Sequence, residues 1–197
     1  MAFLTAAELE SLRFAHLGRD VCIDSSVQIF GSERISIGDN VRIDAFSILS
    51  AGQFSIEFAG HSHIGAGTYL FANGGEIRFE IFSGTSPGCK LFTATDDFAE
   101  GLIRGPNLPL TFRSLKCGPI HFRENAGIGA NCVVLPGCTL GVNATAGAGT
   151  VITGNLPDHS LSLVRGPLKT VPKDPAVYES MAARTREWLR AQGFKLG

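Results

Sequence analysis

Residues 121–154 read HFRENAGIGANCVVLPGCTLGVNATAGAGTVITG, and within them Phe122, Ile128, Val134, Leu140, Ala146 and Ile152 recur every sixth position without a slip. Four residues after each stands a small side chain, Ala126, Cys132, Cys138, Ala144 and Thr150, with Leu156 as the exception. Glycine follows the spaced residue at Gly129, Gly141 and Gly147, as a tight turn without room for a Cβ requires. A period of six fits neither the 3.6-residue helical repeat nor the two-residue alternation of a long strand. It fits a triangular coil in which each side is a short strand pointing one aliphatic residue inward.

The same spacing extends toward the N-terminus in groups of three: Leu17, Ile23, Ile29; Ile37, Ile43, Leu49; Phe58, Ile64, Leu70; Phe79, Thr85, Leu91. The first members of successive groups lie 20, 21 and 21 residues apart (17, 37, 58, 79), one eighteen-residue circuit plus two or three inserted residues. Self-similarity at fixed spacing marks a solenoid, in which stacked circuits share a continuous core. The fold class predicted is all-β: a parallel β-helix of about six hexapeptide coils, some 25–30 Å long at the ordinary interstrand spacing of roughly 4.8 Å.

Both ends differ from the repeat. Thr5 and Glu8 have the spacing of a capping box, so residues 1–16 are expected to hold a helix that lays Leu9, Leu12 and Phe14 on the first coil. The β-helix is assigned to residues 17–156 and a C-terminal extension to 157–197, all within a single domain. In that extension Asp174 is the expected N-cap, Pro175 the first helical residue and Gly193 the stop. Between Leu91 and Phe122 the spacing is suspended, and a long loop over 92–121 is expected to have a functional role. It opens on TATDDF, residues 93–98.

Lysine and arginine number 17 against 18 carboxylates, which leaves no basic field to hold nucleic acid and points to small molecules or further copies of the chain as partners. The five cysteines, an odd number without CxxC spacing, read as reduced thiols and a cytoplasmic setting rather than a disulfide framework or zinc site. No secretory signal is recognised at the N-terminus, and no apolar run reaches membrane-spanning length.

The hexapeptide stretch, together with ISIGDNVRIDAFSILSAG at 35–52 and TATDD at 93–97, resembles the hexapeptide-repeat acyltransferases with a left-handed β-helix. The likeness is to the branch resembling the dTDP-4-amino-4,6-dideoxyglucose N-acetyltransferases of bacterial O-antigen synthesis. It implies left-handed winding, acetyl-CoA as co-substrate, a nucleotide-linked amino sugar as acceptor, and a homotrimer with sites between subunits. It carries the family's pantetheine contacts onto Ala130 and Ala148, with Thr153 and Gly154 where Thr-Lys is usual, and makes Arg165 and Lys169 candidates for the CoA phosphates. No metal is implied.

In the sugar O-acetyltransferases of this fold a histidine holds the base position that Asp96 occupies here. A hydroxyl needs a base, whereas an amine is nucleophilic once its ammonium proton is removed, and a carboxylate suits that ammonium. The catalytic candidates are therefore Asp96 and its neighbour Asp97, set against the plainer reading of a solvated loop turn, with His63, which matches a histidine of the same branch. His61 has no such match and reads as a surface imidazole. On one chain His63 and Asp96 fall at different corners, so a shared role requires a neighbouring subunit. Two alternatives remain: an O-acetyltransferase of the galactoside or maltose type, and a scaffold without activity. A zinc enzyme of the γ-carbonic anhydrase type would want an outward histidine pair one side apart, which the five histidines do not offer.

Overall fold

A computed structural model describes residues 2–97, 99, 103–163 and 175–192. By contact the chain divides into two compact units, residues 1–94 with 117–165, and residues 95–116 with 166–197.

The first unit is a parallel β-solenoid. Three sheets stack strands of two or three residues, so that each sheet takes one strand from every circuit. Every spaced residue falls in register. Leu17, Ile37, Phe58, Phe79, Phe122 and Leu140 form one column. Ile23, Ile43, Ile64, Thr85, Ile128 and Ala146 form the second. Ile29, Leu49, Leu70, Leu91, Val134 and Ile152 form the third. Except for the partly buried Leu17 and Ile29 of the first circuit, these residues are buried. In the first column Phe79 stacks between Phe58, at 5.1 Å between ring centroids, and Phe122, at 4.6 Å.

The small residues four positions later are buried too, and several close the corner with a hydrogen bond to backbone: Cys89 Sγ to Gly129 O at 3.2 Å and Cys132 Sγ to Gly147 O at 3.1 Å. Burial pushes the Cys89 thiol up to about 11. All five cysteines are free thiols.

Leu156 is an exception for a physical reason. It bridges Leu140, and the strand Leu161–Ser162 pairs with Thr145–Ala146, so a partial seventh circuit begins there and Leu156 occupies its first inward position. A second regularity escaped the sequence reading. The residue three before each inward position of the second column has a left-handed backbone: Asp20, Asn40, His61, Phe82, Asn125, Asn143 and His159. Asn, Asp and His tolerate that conformation better than other non-glycine residues.

The N-terminal helix, α1, spans Ala6–Ser11. The capping box is complete: Glu8 N–H donates to Thr5 Oγ1 at 3.3 Å, and Thr5 N–H donates to Glu8 Oε2 at 2.7 Å. Leu9 and Phe14 join the core as expected.

The long loop is more ordered than a bare connection. Its ends pair as a two-stranded ladder, Ala94–Asp96 with Leu115–Cys117, and Leu110–Phe112 forms a 3-10 turn. Helix α2 runs from Pro175 to Ala191, with proline at its first position as predicted. Its Trp188 packs on Phe112 of the loop, ring centroids 5.5 Å apart. Asp174 and Gly193 lie outside the described residues.

Candidate functional site

The candidate residues fall into two groups, one in each unit. On the solenoid, the outward positions of the second sheet run Arg42, His63, Gly84, Gly127 and Thr145 in register. Two consecutive glycines remove side chains from that row and leave a cleft of about 500 Å³ bordered by His61, His63, Phe82, Ser86, Asn125 and Thr145, among others. Gly84 is required by its neighbour, because a Cβ there would stand 2.4 Å from the His63 carbonyl oxygen.

His63 points outward, as its place before Ile64 predicts, and its side chain is 55% exposed. Its Nε2 faces Asp44 Oδ2 at 2.8 Å, and Asp44 Oδ1 accepts from Arg42 Nε at 2.7 Å. Burial works against the ionised Asp44, but the hydrogen bonds from His63 and Arg42 outweigh it and hold the carboxyl below its ordinary range. A neutral His63 facing a carboxylate carries its proton on Nε2, leaving the Nδ1 lone pair for a ligand. Asp44 and Arg42 were not among the sequence candidates; the signal was two charged residues one circuit before His63, visible only once the register is drawn.

His61 has a structural employment. It sits in the left-handed column, and its Nδ1 meets Asn40 Nδ2 at 2.9 Å. The column continues with Asn125 Nδ2 donating to Asn143 Oδ1 at 2.9 Å.

In the second unit, Asp96 and Asp97 are not solvated turn residues. Asp96 Oδ1 receives both Nε and Nη2 of Arg113, each at 2.9 Å, and Oδ2 receives the Gly105 N–H at 3.2 Å. The side chains are 17% and 12% exposed, so this is a largely buried ion pair. Asp97 Oδ1 accepts from Ala99 N–H at 2.9 Å, its Oδ2 pairs with Lys116 Nζ at 3.1 Å, and its backbone N–H donates to Ser114 O at 2.8 Å. The doublet thus divides its work: Asp97 ties the loop ends together, while Asp96 holds a guanidinium and keeps a lone pair on Oδ2 for a donor.

The residues matched to a pantetheine arm lie along the last circuits. Ala130 is half-buried, with its carbonyl accepting from Gly149 N–H at 2.8 Å, and Ala148 is exposed. The two corners approach closely, since a Cβ on Gly129 would stand 2.5 Å from the Ala148 nitrogen. A slender arm could lie along such a small-residue surface. Thr153 is exposed beside a second cavity of about 360 Å³ that also borders Val151, Gly154 and Leu163, and Gly154 has open space where a side chain would stand. Arg165 and Lys169 lie outside the described residues. Among the described residues no three His, Cys, Asp or Glu side chains gather closely enough to hold a metal, and no helix is long and apolar enough to cross a membrane.

No family model matches the chain. The dTDP-4-amino-4,6-dideoxy-D-glucose acyltransferase of Escherichia coli is 26% identical over 152 residues, spanning 77% of this chain and 79% of that protein. A putative acetyltransferase of Staphylococcus aureus is 33% identical over 130 residues, and that match spans 61% of this chain and 59% of the relative. Among solved structures, the N-acyltransferase AntD of Bacillus cereus, in complex with dTDP and 3-hydroxybutyryl-CoA, superposes with a TM-score of 0.79 at 27% identity, over 98% of this chain and 100% of that one. A variant of AntD holding dTDP-4-amino-4,6-dideoxyglucose and Coenzyme A gives the same score and identity over 94% and 98%. A maltose O-acetyltransferase of Clostridium difficile reaches 0.51 at 17% identity over 84% of this chain and 74% of that one, a likeness of fold alone. In sequence and fold together the chain resembles the hexapeptide-repeat N-acyltransferases.

Proposed function

We propose that the protein is an acetyl-CoA-dependent N-acetyltransferase acting on the amino group of a nucleotide-linked dideoxy amino sugar. The observation that carries this reading is the likeness to AntD over nearly the whole chain, at a TM-score of 0.79. Asp96, a carboxylate where the O-acetyltransferases keep a histidine, supports an amine as the acceptor. The O-acetyltransferase reading rests on fold alone. The scaffold reading has to explain why a cleft and a buried Asp96–Arg113 pair persist.

In the reaction the amine nitrogen attacks the thioester carbonyl carbon, and a C–N bond forms as the carbonyl π pair moves onto oxygen. That pair then returns, the C–S bond breaks, and the sulfur leaves with both bonding electrons. The nitrogen must shed protons along the way, and one ends on the sulfur. Asp96 Oδ2 receives the ammonium proton, with Arg113 fixing the carboxylate through Oδ1. Asp97 holds the loop that presents it. His63, oriented by Asp44, directs Nδ1 at the acceptor. We place the pantetheine along Ala130, Ala148 and Thr153, and the phosphates of CoA on Arg165 and Lys169.

His63 and Asp96 then serve one reaction between subunits of a homotrimer. The product belongs to assembly of a bacterial cell-surface polysaccharide such as O-antigen, made in the cytoplasm where acetyl-CoA is available. Calorimetry with CoA and with dTDP tests the reading, since a scaffold binds neither. A sedimentation profile showing a monomer that acetylates at full rate would remove the intersubunit arrangement.

A further inference from the structure

Among the seven residues of the left-handed corner column, six are Asn, Asp or His and one is Phe82, at φ 64°. A bulky ring gains nothing local from that conformation, which is strained for any side chain unable to hydrogen-bond its own backbone. Strained residues that persist concentrate at ligand sites. Phe82 is also 55% exposed, although an aromatic ring normally buries its faces. Its ring stands beside the His61 imidazole, centroids 5.5 Å apart, and both border the cleft that Gly84 and Gly127 leave open. The floor beside the ring is therefore bare backbone at Gly84 and Gly127.

We propose that Phe82 is the stacking platform for the nucleobase of the nucleoside-diphosphate-linked acceptor; this rests on the functional reading above and adds the place where the nucleotide is held. A nucleobase is the part of such a substrate with a π face to lay on an exposed ring. Because Asn40 holds His61 Nδ1, the His61 Nε2 remains for a polar edge of the base. The adenine of CoA is the other nucleobase in the reaction. The positions matched to CoA, Ala130 and Ala148, follow the inward residues Ile128 and Ala146, whereas Phe82 precedes its inward residue Thr85, so the two lie toward opposite corners of one sheet. Phe46 is a built-in control: it has φ 60° and is 72% exposed, but does not border this cleft.

The test is calorimetric titration of the intact protein with dTDP and, separately, with CoA, comparing Phe82→Asn, Phe82→Trp and Phe46→Asn with the parent. Asparagine suits the left-handed corner, so Phe82→Asn should melt no lower than the parent while binding dTDP about tenfold or more weakly. Its CoA affinity should be unchanged, Phe82→Trp should keep dTDP binding, and Phe46→Asn should match the parent. Unchanged dTDP affinity in Phe82→Asn overturns the inference and leaves the proposed function standing. So does a loss confined to CoA, an equal loss in Phe46→Asn, or a fall to a smaller assembly, which would make Phe82 a subunit contact. If the parent binds no nucleoside diphosphate, the functional reading fails and takes this inference with it.

Discussion

Replacing Asp96 by asparagine removes the proposed proton acceptor and breaks the ion pair with Arg113, and the structure allows the two effects to be separated. Arg113 places two nitrogens on Oδ1 at 2.9 Å, with side chains 12% and 17% exposed. Leaving that guanidinium without its charge partner should cost about 3 kcal/mol, the lower end for a broken buried pair. Loss of the acceptor should cost about a hundredfold or more in turnover. Arg113→Leu breaks the same pair but keeps the carboxylate. Thermal melts and release of CoA thiol from acetyl-CoA, measured on both variants, should therefore show similar destabilisation. Turnover should fall by two orders of magnitude only in Asp96→Asn, with Arg113→Leu losing about tenfold or less. Equal losses in the two would refute the reasoning, because the aspartate would then serve only to hold the loop.

Other outcomes follow from the solenoid. Asp44 has a folded-state pKa depressed below its unfolded value, so its contribution is present above about pH 4 and lost as pH falls through the depressed value. Asp39 and Glu76 are lowered as well, Glu76 chiefly by its hydrogen bond with His121, and add to the same acid slope. Melting temperature should be flat from neutral pH to about pH 5 and drop below about pH 4, and Asp44→Asn should shallow that drop. Phe79→Ala opens the centre of the three-ring column and should cost about 3–5 kcal/mol in denaturant melts. In the native protein at pH 8, iodoacetamide followed by peptide mass mapping should label exposed Cys117 and spare Cys89, whose thiol is buried and raised to about 11.

The solenoid could be read from sequence because each circuit repeats one demand, an inward aliphatic residue every six positions with a small residue at the corner. No long-range partner need be known to see it. The left-handed column is equally periodic, with Asn40, Asn125 and Asn143 each three before an inward residue, but polar residues and a backbone angle mark it, not an apolar position. Leu156 stands out as an exception in the sequence, but its reason does not, because the last circuit is shortened to sixteen residues between Leu140 and Leu156. The site was less legible. Asp96 could be singled out by where the repeat stops, yet Arg113 lies seventeen residues away inside the irregular loop. Asp44 reaches His63 across a full circuit, so the pair appears only after strands are placed in register.

The central claim is that the acceptor is an amine on a nucleotide-linked sugar. Incubation of the protein with acetyl-CoA and dTDP-4-amino-4,6-dideoxyglucose, in parallel with the 4-hydroxy counterpart and with a free galactoside, measures it most directly through CoA release and the mass of the product. The account predicts one amide-linked acetyl group on the amino sugar and no transfer to the other two. Transfer to a hydroxyl acceptor, or no transfer to any member of a panel of nucleotide-linked amino sugars, would contradict it.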